Sequence, residues 1–165
     1  MLLTPLLAIP CLPQSATAPP ENKPNPVDQY KPQGYVSDFA GMLDARVKTH
    51  LEAICKDLDE KKKTQMAIVT VDSVEGVPIR TFAMDLANHW GVGYKDTNRG
   101  IVVLLSRKEH QWRIDVGFGL ESVLTDEEAG KLGREMVPML QKEEYGNALL
   151  HVAKRIHEEI LDKVR

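Results

Sequence analysis

GIVVLLSRKEHQWRIDVGF, residues 100–118, is the stretch whose reading decides the fold. Ile101–Ser106 is an unbroken apolar run, as expected of a strand covered on both faces. From Gln111 onward, Trp112, Ile114, Val116 and Phe118 alternate with Gln111, Arg113, Asp115 and Gly117. That period of two marks a strand with one apolar and one polar face. The residues Arg107–Gln111 between the runs have hairpin length, so the two strands pair antiparallel. On the polar face Arg113 reads as an ion-pair partner of Asp115, and Trp90 and Trp112, both on apolar stripes, read as core.

Toward the N-terminus the period changes. Gly91 and Gly93 end a helix whose buried stripe is Ile79, Phe82, Ala83, Leu86 and Trp90, with Pro78 suited to its first turn. Before it, Gln65–Asp72 (QMAIVTVD) reads as a central strand. Further back, Asp44 is placed as the N-cap of a helix running to about Lys62 along Val47, Leu51, Ile54 and Leu58. Cys55 falls on that stripe and reads as a small buried hydrophobe, and Lys61–Lys63 suit the negative end of the helix dipole. Toward the C-terminus, Thr125 and Glu128 form a capping box before a helix along Ala129, Leu132, Met136, Val137 and Leu140, which Pro138 should shorten or kink. A last helix after Gly146 carries Leu149, Ala153, Ile156, Ile160 and Val164. Helices alternating with strands, plus one hairpin, predict a three-layer α/β/α sandwich with a mostly parallel, mixed sheet.

With 165 residues there is room for one domain, and a net charge of -3 supplies no basic field for nucleic acid. Residues 1–18, apolar from Met1 to Leu12 and followed by Ala16-Thr17-Ala18, read as a signal peptide. Residues 19–33, rich in Pro, Asn and Lys, read as a flexible tether, and 34–163 as the folded domain. No second membrane segment is expected, since the longest later apolar run is Ile101–Leu105. Cys11 lies in the leading apolar stretch, which leaves no disulfide framework. The five histidines form no HExxH or other metal spacing, and GxSxG, P-loop and dinucleotide-binding patterns are missing.

Several segments in order carry a family resemblance. They are Tyr35–Leu43 (YVSDFAGML), Trp90-Gly91-Val92-Gly93, Asn98–Leu105 (NRGIVVLL), Arg113–Glu121 (RIDVGFGLE) and Leu124-Thr125-Asp126. Together these resemble the hallmarks of the TPM domain family across nearly the whole fold. The resemblance implies an α/β sandwich located in a periplasm, cell envelope or thylakoid lumen. Members of that family are linked to photosystem repair, to acid phosphatase activity with bound divalent metal, and to support of membrane receptors. An exported accessory module that maintains membrane-protein partners is therefore the first expectation, and a metal-dependent phosphatase acting on phosphomonoesters the alternative.

For a hard cation such as Ca2+ or Mg2+, the expected oxygen ligands are Asp38, Asp96 and Asp126, with Asp72 near the carboxyl end of its strand. Asn98 stands where the family often has Asp, and Arg99 where it often has Asn. That change removes a negative charge and adds a positive one. The motif residues Trp90, Gly91, Gly93, Asn98, Gly100, Arg113, Gly117, Gly119 and Glu121 complete the candidate set; the glycines of 117–119 serve a sharp turn, and Glu121 a cap or salt bridge.

Overall fold

The computed structural model describes residues 24–164. Its strands are β1 (Val36–Asp38), β2 (Gln65–Val71), β3 (Gly100–Ser106) and β4 (Gln111–Val116). Its helices are α1 (Ala45–Lys62), α2 (Ile79–Trp90), α3 (Asp126–Leu140) and α4 (Tyr145–Lys163), with single 3-10 turns at Pro26–Gln29 and Phe118–Leu120. The sheet order is β1-β2-β3-β4. β1, β2 and β3 are parallel, with Val36 beside Ile68 and Gln65 beside Gly100, and β4 returns antiparallel with Val103 beside Ile114.

Alternation along the strands divides the core in two. Met66, Ile68, Ile101, Val103, Leu105 and Ile114 face one way and pack on Leu51, Cys55 and Leu58 of α1 and on the apolar stripes of α3 and α4. Ala67, Val69, Val71, Val102 and Leu104 face the other way, onto Phe82, Ala83 and Leu86 of α2. This is the expected three-layer sandwich. Because the sheet grows in one direction while α1 and α2 cover opposite faces, the β1-α1-β2 and β2-α2-β3 crossovers have opposite hands. Right-handed crossovers dominate so strongly that such a pair is uncommon.

The helix ends follow local chemistry. The Asp44 carboxylate accepts from Val47 N at 2.8 Å and starts α1. Thr125 and Glu128 satisfy one another's backbone amides at the start of α3. Pro138 is accommodated near the C-terminus of α3, which stops two residues later at Leu140. Cys55 is fully buried, and burial pushes its thiol well above the ordinary range.

Two segments differ from the sequence expectation. The signal segment 1–18 and the tether residues 19–23 lie outside the described residues, but 24–33 is not an open tether. Val27 is buried, the Trp90 indole donates to Tyr30 O at 2.9 Å, and the Tyr30 ring meets Phe39 edge-on with centroids 4.9 Å apart. One valine and one tyrosine dock a segment whose average composition is polar. The other difference is β1, too short at three residues to show any period. Among the described residues no helix is long and apolar enough to cross a membrane.

Candidate functional site

The parallel strands bring Asp38 and Asp72 to their carboxyl edge, the usual ligand position of such sheets. Here that edge is occupied by the protein's own donors. The side chain of Asp38 is fully buried and accepts hydrogen bonds from Met42 N (2.9 Å), Leu43 N (3.1 Å) and Thr70 Oγ1, with Lys48 Nζ at 3.1 Å. Burial opposes its ionisation, but these four donors outweigh burial and hold the carboxyl below the usual aspartate value. Asp72 pairs with Arg107, whose guanidinium also donates to Ala40 O at 3.2 Å. Glu109 accepts from Ser106 Oγ, from Ser73 Oγ at 2.6 Å and from Val74 N at 3.3 Å, and these bonds depress its carboxyl too. The carboxyl edge is thus braced from inside.

The motif residues gather at the opposite, amino edge. The loop after α2 runs into the start of β3, and β4, being antiparallel, leaves the sheet beside it. Trp90 ends α2, and Gly91 takes the left-handed conformation (φ 65°) that caps it. Gly93 N donates to Gln65 Oε1 at 2.9 Å, and Asn98 holds φ at 50°. Gly117 N reaches Gly100 O at 2.7 Å and Gly119 N reaches Asn98 O at 3.2 Å. A Cβ on Gly117 would sit 2.3 Å from Asn98 O, and one on Gly119 would sit 1.8 Å from Thr97 O. Only glycine permits the two loops to lie this close.

A second tie fixes the same loop. Asp59, in the last turn of α1, accepts from Tyr35 OH at 2.6 Å and Tyr94 OH at 2.5 Å, and these bonds raise both phenols above their ordinary value. Arg99 turns away from the loop's open side and donates to Lys62 O at 3.4 Å.

Between α2 and the β3–β4 edge lies a crevice of about 340 Å3. Met84, Ala87 and Asn88 of α2 form one wall; Asn98, Gly100 and Val102, with Asp115, Gly117 and Phe118, form the others. Asp115 is the one ionisable residue in its lining. The expected Arg113–Asp115 pair forms, with Arg113 Nη2 3.3 Å from Asp115 Oδ1 and 3.7 Å from Asp126 Oδ1. Phe118 is 79% exposed and Met84 44%, the large hydrophobic side chains left open to water among the described residues.

The expected cation ligands are not brought together. Asp38 is at the carboxyl edge, its carboxylate already supplied with donors. Asp96 lies exposed in the turn before β3, and Asp126 is exposed at the start of α3, against Arg113. The chain enters β3 at the amino edge, so the turn that carries Asp96 lies at the edge opposite Asp38. Among the described residues no group of three or more His, Cys, Asp or Glu side chains could hold a metal ion. The crevice offers one carboxylate, itself paired with a guanidinium, and two amides, whereas hard cations take six or more oxygens. The residues present do not fit a resident Ca2+ or Mg2+.

Glu121 is exposed at the end of the 3-10 turn. Phe118, expected in the core from the alternation of β4, is outside it because the strand ends at Val116 and the chain turns through Gly117. Trp112 does pack against the core, with Gly133 of α3 against its ring. Met84 and Asn88 lie off the buried stripe of α2 (Phe82, Ala83, Leu86), so helical periodicity does not mark them.

Residues 36–159 match a family model described as TPM domain. Among solved structures, the chain is similar to the N-terminal domain of a protein from P. gingivalis, at TM-score 0.74 and 23% identity over 79% of this chain and 83% of that one. It is also similar to the N-terminal domain of the cg2496 protein from Corynebacterium glutamicum, at TM-score 0.62 and 19% identity over 76% of this chain and 79% of that one. At these identities the likeness shows the fold alone. No curated protein matches.

Proposed function

Since the chain belongs to the TPM domain family, we propose that it is an exported binding module that supports the assembly or maintenance of membrane proteins. Its contact surface is the amino-edge crevice. One observation carries this reading: Phe118 and Met84, the exposed large hydrophobic side chains, rim the same crevice that the family motifs build. Exposed apolar groups beside polar ones are how protein surfaces engage partners. Contact energy concentrates in such side chains.

A phosphatase would need a nucleophile or an activated water beside a phosphoryl-binding site. The crevice has no serine, cysteine or histidine in its lining. No hydrolytic step follows from these residues.

The test is site-specific photo-crosslinking in cells that make the protein, with the reactive group placed at position 118, at 84, and at exposed position 75 on the carboxyl edge as control. Adducts with integral membrane proteins from 118 and 84, absent from 75, are the expected result. Equal labelling from all three positions refutes the reading. So does phosphomonoester turnover that requires added calcium or magnesium and is lost in Asp115→Asn.

A further inference from the structure

The crevice combines a single carboxylate with an apolar rim. Asp115 Oδ1 is taken by Arg113, 3.3 Å away, while Oδ2 has no protein donor among the described residues. Arg113 is in turn shared with Asp126 at 3.7 Å, so two carboxylates face one guanidinium and the local balance favours one more positive charge. Asn88 from α2 and Asn98 from the loop line the same space. Phe118 and Met84 close the mouth with hydrocarbon.

We propose that this crevice takes a lysine side chain presented by a partner protein, an inference that rests on the binding-module reading above. An ammonium has three donors and no acceptor, and the Asp115 carboxylate, with Asn88 and Asn98 beside it, lines the crevice. The four-carbon stem lies along Met84 and Phe118, as long cationic side chains do on apolar surface, and the exposed Phe118 ring faces the cation. An arginine is served less well. Its planar fork seeks two free carboxylate oxygens, and at Asp115 one of the two is already held. A bare metal ion would use neither the rim nor the shape.

The experiment is a titration of the 15N-labelled full chain with a capped Ala-Leu-Lys-Leu-Ala peptide, and with the same peptide acetylated on the lysine Nζ. The lysine peptide produces saturable shifts at the amides of Asn98, Gly100, Gly117 and Phe118. Acetylation weakens it at least about tenfold, the scale of a lost charge-assisted hydrogen bond. Asp115→Asn weakens it similarly, and Phe118→Ala, which alters a side chain standing in solvent, weakens it with the fold intact.

Equal response to both peptides, or no response up to millimolar peptide from protein with a folded spectrum, overturns the proposal. So does calcium alone saturating these resonances and excluding the lysine peptide. If crosslinks from position 118 persist while the peptide fails, the binding module stands and the lysine assignment falls; failure of both removes the module as well.

Discussion

Replacing Gly119 by alanine tests how the amino edge is built. The added Cβ would lie 1.8 Å from Thr97 O and 2.9 Å from Thr97 C, where ordinary contact begins near 3.4 Å, so the two backbones must part by at least 1.6 Å. The obstacle is main chain on both sides and cannot rotate away. Parting breaks the Gly119 N to Asn98 O hydrogen bond, costing about 1 kcal/mol. Forced overpacking adds about 1–3 kcal/mol. Loss of glycine's freedom in the unfolded chain offsets up to about 1 kcal/mol, leaving a net destabilisation of about 1–4 kcal/mol. In a domain of this size that lowers Tm by roughly 3–15 °C. Gly130→Ala is the internal control: its Cβ meets a flexible Arg134 guanidinium at 3.4 Å inside α3, and helix propensity favours the change by up to about 1 kcal/mol. Urea unfolding followed by circular dichroism measures both. A Gly119→Ala value within about 0.5 kcal/mol of the parent would show that the loops do not need their close approach.

Asp38→Asn should lose about 2–3 kcal/mol at neutral pH, because an amide accepts fewer of the bonds from Thr70, Met42, Leu43 and Lys48. The Asp38 carboxyl titrates below its unfolded value, so its contribution is present above about pH 4 and is lost as pH falls through the lower folded value. The gap between parent and variant in urea melts should therefore close with acid, and a gap unchanged down to pH 2 contradicts the assignment. Cys55, fully buried, should resist thiol reagents in the native state and react at the rate of unfolding, read by mass spectrometry of the Cys55 peptide. Thr125→Ala should cost about 1 kcal/mol in a thermal melt through loss of the capping box; no change would mean that α3 starts without it.

The sequence shows the fold clearly where periodicity or capping is strong. QMAIVTVD and GIVVLLS are buried on both faces as their unbroken apolar runs require, and Asp44 and Thr125 cap the helices they precede. It is silent on β1, whose three residues belong to the sheet only through the ladder with β2. The site was legible in its glycines and in the Arg113–Asp115 pair, because close approach and same-face spacing are local properties. It was not legible in its acids. Which aspartates meet depends on strand direction and on the edge where each loop emerges, and no spacing along the chain encodes that.

Chain order and strand order coincide, β1 to β4, so each strand pairs with the one just synthesised and no later strand has to be inserted between two earlier ones. For the sheet this is assembly by adding neighbours in order, the β3–β4 hairpin closing over a short turn and the parallel pairs across α1 and α2. The helical layer behaves oppositely. One side of the apolar stripe of α1 is covered by α4, the last of the four helices in chain order, which ties the two ends of the domain together. Nascent chain that has emerged only as far as α3 can form its hairpin and cover α1 with the sheet, but the side of α1 that meets α4 stays uncovered. The α1–α4 contact closes a loop spanning most of the domain, so a ribosome that pauses before residue 145 leaves that side of α1 uncovered and open to aggregation.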